Sequence, residues 1–223
     1  GAWLSAGTWR WPGEARVGGR PRPRWDNGSP ADALQRLRRV MRCLSRGQPA
    51  GLGLVDTGVG NRENAKFKDI YGIENEGADG ATMLEDGLKE IGAAPADISL
   101  VINTHLHFDH AGGNTRTRED GSLEITFPNA TYIVRRGEYD YAMHYNERTA
   151  ASYFERNYVP LAAADKLELI ARENTIDKGI RVIPTHVHTP YHPTLMIDSA
   201  EPRAFSLVDL FPPHPHLPLP LIL

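Results

Sequence analysis

The chain has 223 residues, of which 40% are hydrophobic, and its 25 Lys and Arg against 28 Asp and Glu give a net charge of −3. It contains no apolar run near the ~18 residues that cross a bilayer, so we expect no membrane span, and its single cysteine excludes an internal disulfide. The first residues lack the pattern of a secretory signal, and we therefore expect a cytoplasmic protein.

Residues 1–50 differ in composition from the rest of the chain. They hold ten Arg, three acidic residues and all four Trp, a charge of +7, whereas the remaining residues carry −10. We predict an atypical basic extension, loosely attached over residues 1 to 28 where Gly and Pro are frequent. A helix over residues 30–46 is predicted within it, because Ser29 suits an N-cap and apolar residues recur at helical spacing: Leu34, Leu37, Val40, Met41 and Leu44.

A nucleic-acid-binding arm is the alternative interpretation of this basic segment. Arginine attracts phosphate and tryptophan stacks on bases, and both residue types are concentrated here. A solvated arginine face on the predicted helix is the simpler interpretation, and we expect no nucleic-acid partner.

From residue 51 onwards strand and helix patterns alternate, which predicts an α/β fold. The predicted helices cover residues 81–91, 137–144 and 149–164. The predicted strands cover residues 52–55, 100–103, 131–134, 166–170, 180–184, 194–198 and 204–208.

Residues 104–113 read THLHFDHAGG and follow one of the predicted strands. Alternation along a strand points His105 and His107 the same way, so that both can bind one metal ion. Asp109 and His110 lie on the following turn and can reach a neighbouring ion. A purely structural role is disfavoured, because burying these side chains without metal or hydrogen-bond partners costs several kcal/mol. The spacing predicts a two-metal site.

This H-x-H-x-D-H motif resembles the signature of the metallo-β-lactamase-fold hydrolases, and the resemblance extends from about residue 51 to the end of the chain. The family's upstream Asp-Thr-Gly is matched by Asp56, Thr57 and Gly58. Its downstream T-P-G-H segment is matched by residues 182–197, with these positions in register: Thr185, His188, Thr189, Pro190 and His192. The resemblance is greatest to the lactonase-like and uncharacterised hydrolase branches.

The fold implied by this resemblance is a metallo-β-lactamase-like αββα sandwich over residues 51–223. We expect the sandwich to be incomplete, because residues 1–50 show no counterpart of the strands with which the family begins its first sheet.

The resemblance also implies a set of metal ligands and an activity. His105, His107 and His188 are the implied ligands of the first of two divalent metal ions, with zinc the expected metal. The implied ligands of the second ion are Asp109, His110 and Asp209, and Asp209 would bridge both ions. The implied reaction is hydrolysis of a small-molecule ester, lactone or amide by a metal-bound hydroxide, with Asp109 as the catalytic residue.

Several positions depart from the family pattern. Val187, Tyr191 and Val208 stand where the family carries glycine, and a residue forced to positive φ adds roughly 1–3 kcal/mol of strain. The family's last histidine ligand has no clear match, although His216, and less so His214, are candidates.

The alternative function is that of a truncated homologue with weak or partial metal binding and little or no catalysis. A nuclease is disfavoured, because the −10 charge of the motif-bearing part repels phosphate backbones. The oligomeric state stays open.

Overall fold

The computed structural model is a mixed α/β structure in which two β-sheets pack face to face. It describes residues 2–12, 31–48, 51–78, 82–171, 174–176, 179–197, 204–206 and 209. The α/β class predicted from the sequence is confirmed.

The strands and helices of these residues are numbered here in chain order. The strands are β1 (Ala2–Pro12), β2 (Arg36–Gln48), β3 (Gly51–Val55), β4 (Ile98–Ile102), β5 (Thr115–Thr117), β6 (Leu123–Ile125), β7 (Thr131–Arg135), β8 (Leu167–Ile170), β9 (Asn174–Ile176), β10 (Ile180–Pro184), β11 (Pro193–Ile197) and β12 (Ala204–Ser206). The α-helices are α1 (Ala65–Tyr71), α2 (Met83–Glu90), α3 (Phe108–Ala111), α4 (Arg136–Met143) and α5 (Val159–Ala163). Short 3-10 helices occupy Pro95–Asp97, Gly112–Asn114 and Glu155–Asn157.

The first sheet has the order β1-β2-β3-β4-β7-β8. Strands β3, β4, β7 and β8 are parallel, whereas β1 and β2 add to the sheet in antiparallel fashion. The expectation that this sheet lacks its first strands is therefore wrong. Because β3 and β4 are parallel, the segments that follow them meet at one edge of the sheet, which is where ligands bind in open α/β sheets.

The helix predicted over residues 30–46 is also wrong, because residues 36–48 form strand β2. Leu37, Met41 and Cys43 are buried, whereas Arg38 and Arg42 are exposed, which is the period of two expected of a strand. The same apolar residues fit a helical spacing equally well when read alone. Pairing with β1 on one side and β3 on the other decides between the two patterns.

Strand β1 corrects the prediction of a loosely attached start for residues 2–12. Leu4, Ala6 and Trp9 are buried, and the strand pairs with β2 along most of its length. A register shift between Ser5 and Thr8, with Gly7 at φ 98°, interrupts the alternation of side chains. This bulge hides the strand pattern from sequence analysis. Residues 13–28, the remainder of the predicted loose region, lie outside the described residues.

The second sheet has the order β12-β11-β10-β9. Its Val182, Leu195 and Ile197 pack against Leu100 and Ile133 of the first sheet, and these buried side chains form the core between the sheets. A second core lies on the opposite face of the first sheet, where helix α2 packs. The loop between β10 and β11 brings the second sheet to the edge at which β3 and β4 end.

Most elements predicted after residue 51 are confirmed within one or two residues. Helix α2 begins at Met83 after the N-cap Thr82, and Thr82 and Glu85 form a capping box in which each side chain accepts from the other's backbone N–H group. The long helix predicted over residues 149–164 is wrong in extent, because only Val159–Ala163 is α-helical. Pro160 stands in the first turn of α5, where its missing N–H costs nothing.

Among the described residues, no helix is both long and apolar enough to cross a membrane.

Trp3 and Trp9 offer a matched test of strand β1. Trp9 is 3% exposed and packs on Trp11, Tyr71 and Phe108, whereas Trp3 is 57% exposed. We expect Trp9→Ala to lower the free energy of unfolding by about 3–5 kcal/mol, because it opens a cavity in the core. Trp3→Ala should change it by less than about 0.5 kcal/mol. Urea unfolding followed by circular dichroism measures both, and equal small effects would contradict a structural role for β1.

Candidate metal centre

The predicted site residues converge at the edge where β3 and β4 end. Asp56 directly follows β3, and residues 104–110 follow β4 after one intervening residue, Asn103. His188 lies in the loop between β10 and β11, and Asp209 follows β12. The site is thus assembled from four segments of the chain that belong to both sheets.

Three histidines form what is here named the first group: His105, His107 and His188. One ring nitrogen of each lies within 4.8 Å of a ring nitrogen of the others. Nδ1 of His107 lies 3.1 Å from Nε2 of His188, and the ring centroids of His105 and His188 are 4.9 Å apart. The structure therefore brings together the three residues expected to bind the first ion.

The second group consists of His105, His110 and Asp209, whose donor atoms also lie within 4.8 Å of one another. The sequence led us to expect Asp109 beside His110 and Asp209, with His105 only in the first group. Asp109 lies next to this group, with Oδ2 3.3 Å from Nε2 of His110. His105 is the residue that the two groups share.

Asp209 stands between the two groups. Its Oδ2 lies 3.4 Å from Nε2 of His110 and 3.3 Å from Nε2 of His188. Its other oxygen, Oδ1, accepts a hydrogen bond of 2.5 Å from Nη2 of Arg39 on β2. One carboxylate oxygen therefore faces a histidine of each group while the second oxygen is held by arginine.

The buried donor atoms fit a metal ion. Among the described residues, neither Nε2 of His105 nor Oδ2 of Asp209 has a hydrogen-bond partner, although both atoms are buried. A buried polar atom without a partner costs roughly 1–3 kcal/mol, and such atoms are rare in native proteins. Imidazole nitrogens and carboxylate oxygens are ligands suited to zinc and related divalent ions.

Electrostatics keep most of these donors in the form that binds metal. Burial lowers the pKa of His105 well below its usual value and that of His107 to about 3, so both imidazoles are neutral at pH 7. Burial alone would raise the pKa of Asp109, but neighbouring His110 outweighs it and lowers that pKa to about 2. Burial alone would also raise the pKa of Asp209, but its interaction with nearby His110 outweighs burial and lowers that pKa well below its usual value.

His110 differs from the other histidines. Burial opposes its protonation, but the charges of Asp109 and Asp56 outweigh burial and raise its pKa well above the usual value. A metal ion must displace this proton in order to bind His110. Binding to the second group therefore releases a proton, and its affinity increases as the pH rises towards that pKa.

Asp56 connects β3 to the histidine segment. Its Oδ2 lies 2.9 Å from Nδ1 of His110, while its Oδ1 accepts from the backbone N–H of Thr104 at 2.8 Å. The hydroxyl of Thr104 also contacts Asp56 and lies 3.1 Å from Nδ1 of His105. Asp56 adopts φ 56°, a left-handed conformation that few residues other than Gly, Asn and Asp accept.

Two glycines allow this approach of β3 to the histidine segment. A Cβ atom on Gly112 would lie 2.3 Å from the carbonyl oxygen of Val59, and one on Gly113 would lie 2.3 Å from that of Thr57. Neither position can carry a side chain without moving the backbone.

Backbone strain was expected in the loop between β10 and β11 at the residues that replace the family's glycines. The loop is strained, but at other residues. Positive φ values occur at His186 (53°) and His188 (65°) rather than at Val187 or Tyr191. Such a conformation costs about 1–3 kcal/mol at a non-glycine residue and persists only where its surroundings hold it. Val208, the third departure, lies outside the described residues, as do His214 and His216.

Three residues that support the site were not predicted from the sequence: Arg39, Glu138 and His192. Arg39 belongs to a segment that was interpreted as a helix, and Glu138 stands in no recognisable motif. His192 was noted only as part of the family segment, yet its ring is fully buried 5.3 Å from that of His105. Its Nδ1 lies 3.1 Å from the hydroxyl of Thr185, and burial lowers its pKa to about 4. The short spacing to His188 is the one signal that could have identified it.

Comparison with known proteins places this arrangement in a family. The model of the metallo-β-lactamase superfamily matches residues 49–221, which include every residue of both groups. The chain belongs to the metallo-β-lactamase superfamily. The resemblance inferred from the histidine motif is therefore confirmed.

Individual members of the superfamily give a more detailed comparison. An N-acyl homoserine lactonase from a Bacillus species is 31% identical over 160 residues, which cover 66% of this chain and 53% of that protein. The chain thus spans about half the length of this relative. The structure of a probable metal-dependent hydrolase from Staphylococcus aureus, 24% identical, matches with a TM-score of 0.83 over 94% of this chain and 72% of the other. A dizinc quorum-quenching lactonase in complex with a product, 18% identical, gives 0.72 over 94% and 70%.

Asp56→Asn tests whether the carboxylate behind His110 supports metal binding in this superfamily member. Asparagine also accepts left-handed φ, but its amide nitrogen cannot accept the hydrogen bonds that Asp56 accepts. We expect zinc affinity, measured by competition with a chelating dye, to fall by about 10- to 100-fold. Asp120→Asn, in an exposed turn, is the matched control and should bind zinc like the wild type. Equal affinities for all three proteins would exclude a supporting role for Asp56.

Proposed function

We propose that this chain is a metal-dependent hydrolase that opens the ring of a small-molecule lactone. The observation that carries this proposal is the position of Asp209 Oδ2, within 3.4 Å of a histidine nitrogen from each group. Lactones are preferred over other esters and amides because the Bacillus relative is named an N-acyl homoserine lactonase. The fold shared with a dizinc lactonase supports two zinc ions as the cofactor.

The proposed ligands follow from this arrangement. His105, His107 and His188 would hold the first ion, and His110 with Asp109 would hold the second. Asp209 would contribute Oδ2 to both, because that atom lies between the groups while Oδ1 is bound by Arg39. When bound, the two ions would supply a water of lowered pKa and polarise the carbonyl oxygen of the substrate.

Asp109 is the proposed catalytic residue. Its carboxylate is buried and its low pKa keeps it anionic at neutral pH. It would orient the attacking water, whose oxygen forms a bond to the lactone carbonyl carbon. As the ring C–O bond breaks, the proton lost by that water passes through Asp109 to the leaving alkoxide oxygen. The products are a hydroxyl and a carboxylic acid on one open chain, and the acid then releases its remaining proton to solvent to become a carboxylate.

One contact favours the alternative of partial metal binding with little catalysis. The guanidinium of Arg39 donates to Asp209 and brings a positive charge next to the second group. That charge disfavours a second cation by Coulomb repulsion. A chain that binds metal weakly or only in the first group, with little or no catalysis, is therefore the second candidate, and metal stoichiometry distinguishes the two.

The partner of the proposed hydrolase is a small molecule. Nucleic acid is disfavoured for the site, because the part of the chain after residue 50 carries −10. Cytoplasmic localisation stays a prediction from the sequence.

Metal content and lactone opening test the proposed function together. Protein purified without chelator should hold two zinc ions per chain and should open N-hexanoyl homoserine lactone, as followed with a pH indicator. A chelator should abolish the activity and added zinc should restore it, because the reacting water depends on the ions. One ion per chain without turnover would support the alternative, and activity that survives the chelator would contradict both.

Asp109→Ala tests the proposed catalytic residue. We expect kcat/KM for the lactone to fall by at least about 100-fold, because general acid–base catalysis and one ligand are lost together. Asp120→Ala, in an exposed turn, is the control and should leave the rate unchanged. An Asp109→Ala variant that retains full activity would remove Asp109 from the mechanism.

A further inference from the structure

Glu138 on helix α4 is a fully buried carboxylate at 0% exposure. Its Oε1 accepts a hydrogen bond of 3.1 Å from the backbone N–H of Leu106 and one of 3.0 Å from the hydroxyl of Tyr153. Its Oε2 accepts a hydrogen bond of 2.7 Å from the hydroxyl of Thr189. Three segments of the chain that are distant in sequence therefore meet at one side chain.

Each of the three donors adjoins the first group. Leu106 lies between His105 and His107 in the chain, and Thr189 follows His188 directly. The ring of Tyr153 packs edge-on against that of His107, with centroids 4.7 Å apart. Glu138 thus holds both the segment after β4 and the loop between β10 and β11, which supply the opposite sides of the group.

The loop that carries His188 needs such an attachment. His188 is held at φ 65°, a conformation that a non-glycine residue keeps only when its neighbours fix it. Two hydrogen bonds join the loop to the end of β7 and the start of α4. One is the Thr189–Glu138 bond, and the other is a bond of 2.8 Å from Nη1 of Arg135 to the carbonyl oxygen of Tyr191.

We propose that Glu138 is a positioning residue that sets the separation between His107 and His188, and that it thereby sets the metal affinity of the first group. The proposal rests on the proposed metal-dependent function. Glu138 contacts no donor atom of the group, so it acts through the backbone of Leu106 and the side chains of Thr189 and Tyr153. Glu138 therefore affects how the three histidines are placed relative to one another, and not how many histidines are available to bind the ion.

Thr189→Val is the sharpest test, because valine keeps the branched shape and removes only the hydroxyl. We expect cobalt(II) binding to weaken by about 10- to 100-fold, the usual effect of losing an outer-shell partner, with an altered ligand-field spectrum of the bound ion. Thr189→Ser keeps the hydroxyl and should restore both affinity and spectrum. Titration of the full chain with cobalt(II), followed by visible absorption, measures them.

Thr194→Val provides a matched control on strand β11. Thr194 is also buried, and its hydroxyl has no hydrogen-bond partner among the described residues. This variant should bind cobalt(II) like the wild type. If Thr189→Val does not fold, Tyr153→Phe removes a different donor from the same carboxylate and is expected to weaken cobalt(II) binding in the same direction.

The outcomes separate this proposal from the proposed function. Wild-type cobalt(II) affinity and spectrum in Thr189→Val would overturn the positioning role, even if its melting temperature were lower. Metal binding without lactone opening by the wild type would overturn the hydrolase and leave the role of Glu138 standing. A wild-type chain that binds no cobalt(II) would overturn both.

Discussion

Oδ2 of Asp209 lies 3.3 Å from His188 and 3.4 Å from His110, and the surrounding structure is arranged around this buried oxygen. Asp56, Asp109 and Asp209 concentrate negative charge where burial opposes it, so cations must balance them. Within the described residues, His110 and Arg39 contribute positive charge beside these carboxylates. Divalent ions would replace the proton on His110, which explains why a set of groups that is costly to bury makes a favourable metal site.

Hydrogen bonds made by two buried acids, Asp56 and Glu138, offset the backbone strain at the site. Asp56, His186 and His188 all adopt positive φ, at roughly 1–3 kcal/mol each. Asp56 regains stability through its bonds to Thr104 and His110, and the loop of His188 through the bond to Glu138. The donors that follow β4 and the loop of His188 are thus held by two buried acids, Asp56 and Glu138, that do not belong to either group.

The first fifty residues illustrate why the same pattern can be interpreted in two ways. The apolar positions of residues 30–46 fit a helix when taken alone, but residues 36–48 form strand β2. Strand β2 pairs with β1, which buries Trp9 against Phe108 of the histidine motif. The bulge at Gly7 removes the strict alternation that would have identified β1. A segment whose arginines had suggested a solvated surface therefore supplies Arg39 to the candidate metal centre.

The sequence by itself predicted metal-binding chemistry, because His105, His107, Asp109 and His110 lie close together after the end of β4 and their grouping is a local property. It also determined most elements after residue 51, whose periodic patterns span adjacent residues. Only the tertiary structure decided that His105 belongs to both groups and that Arg39 and Glu138 support the site. These contacts join residues as far apart as 39 and 209, and strand pairing and burial, which no local pattern encodes, bring them together.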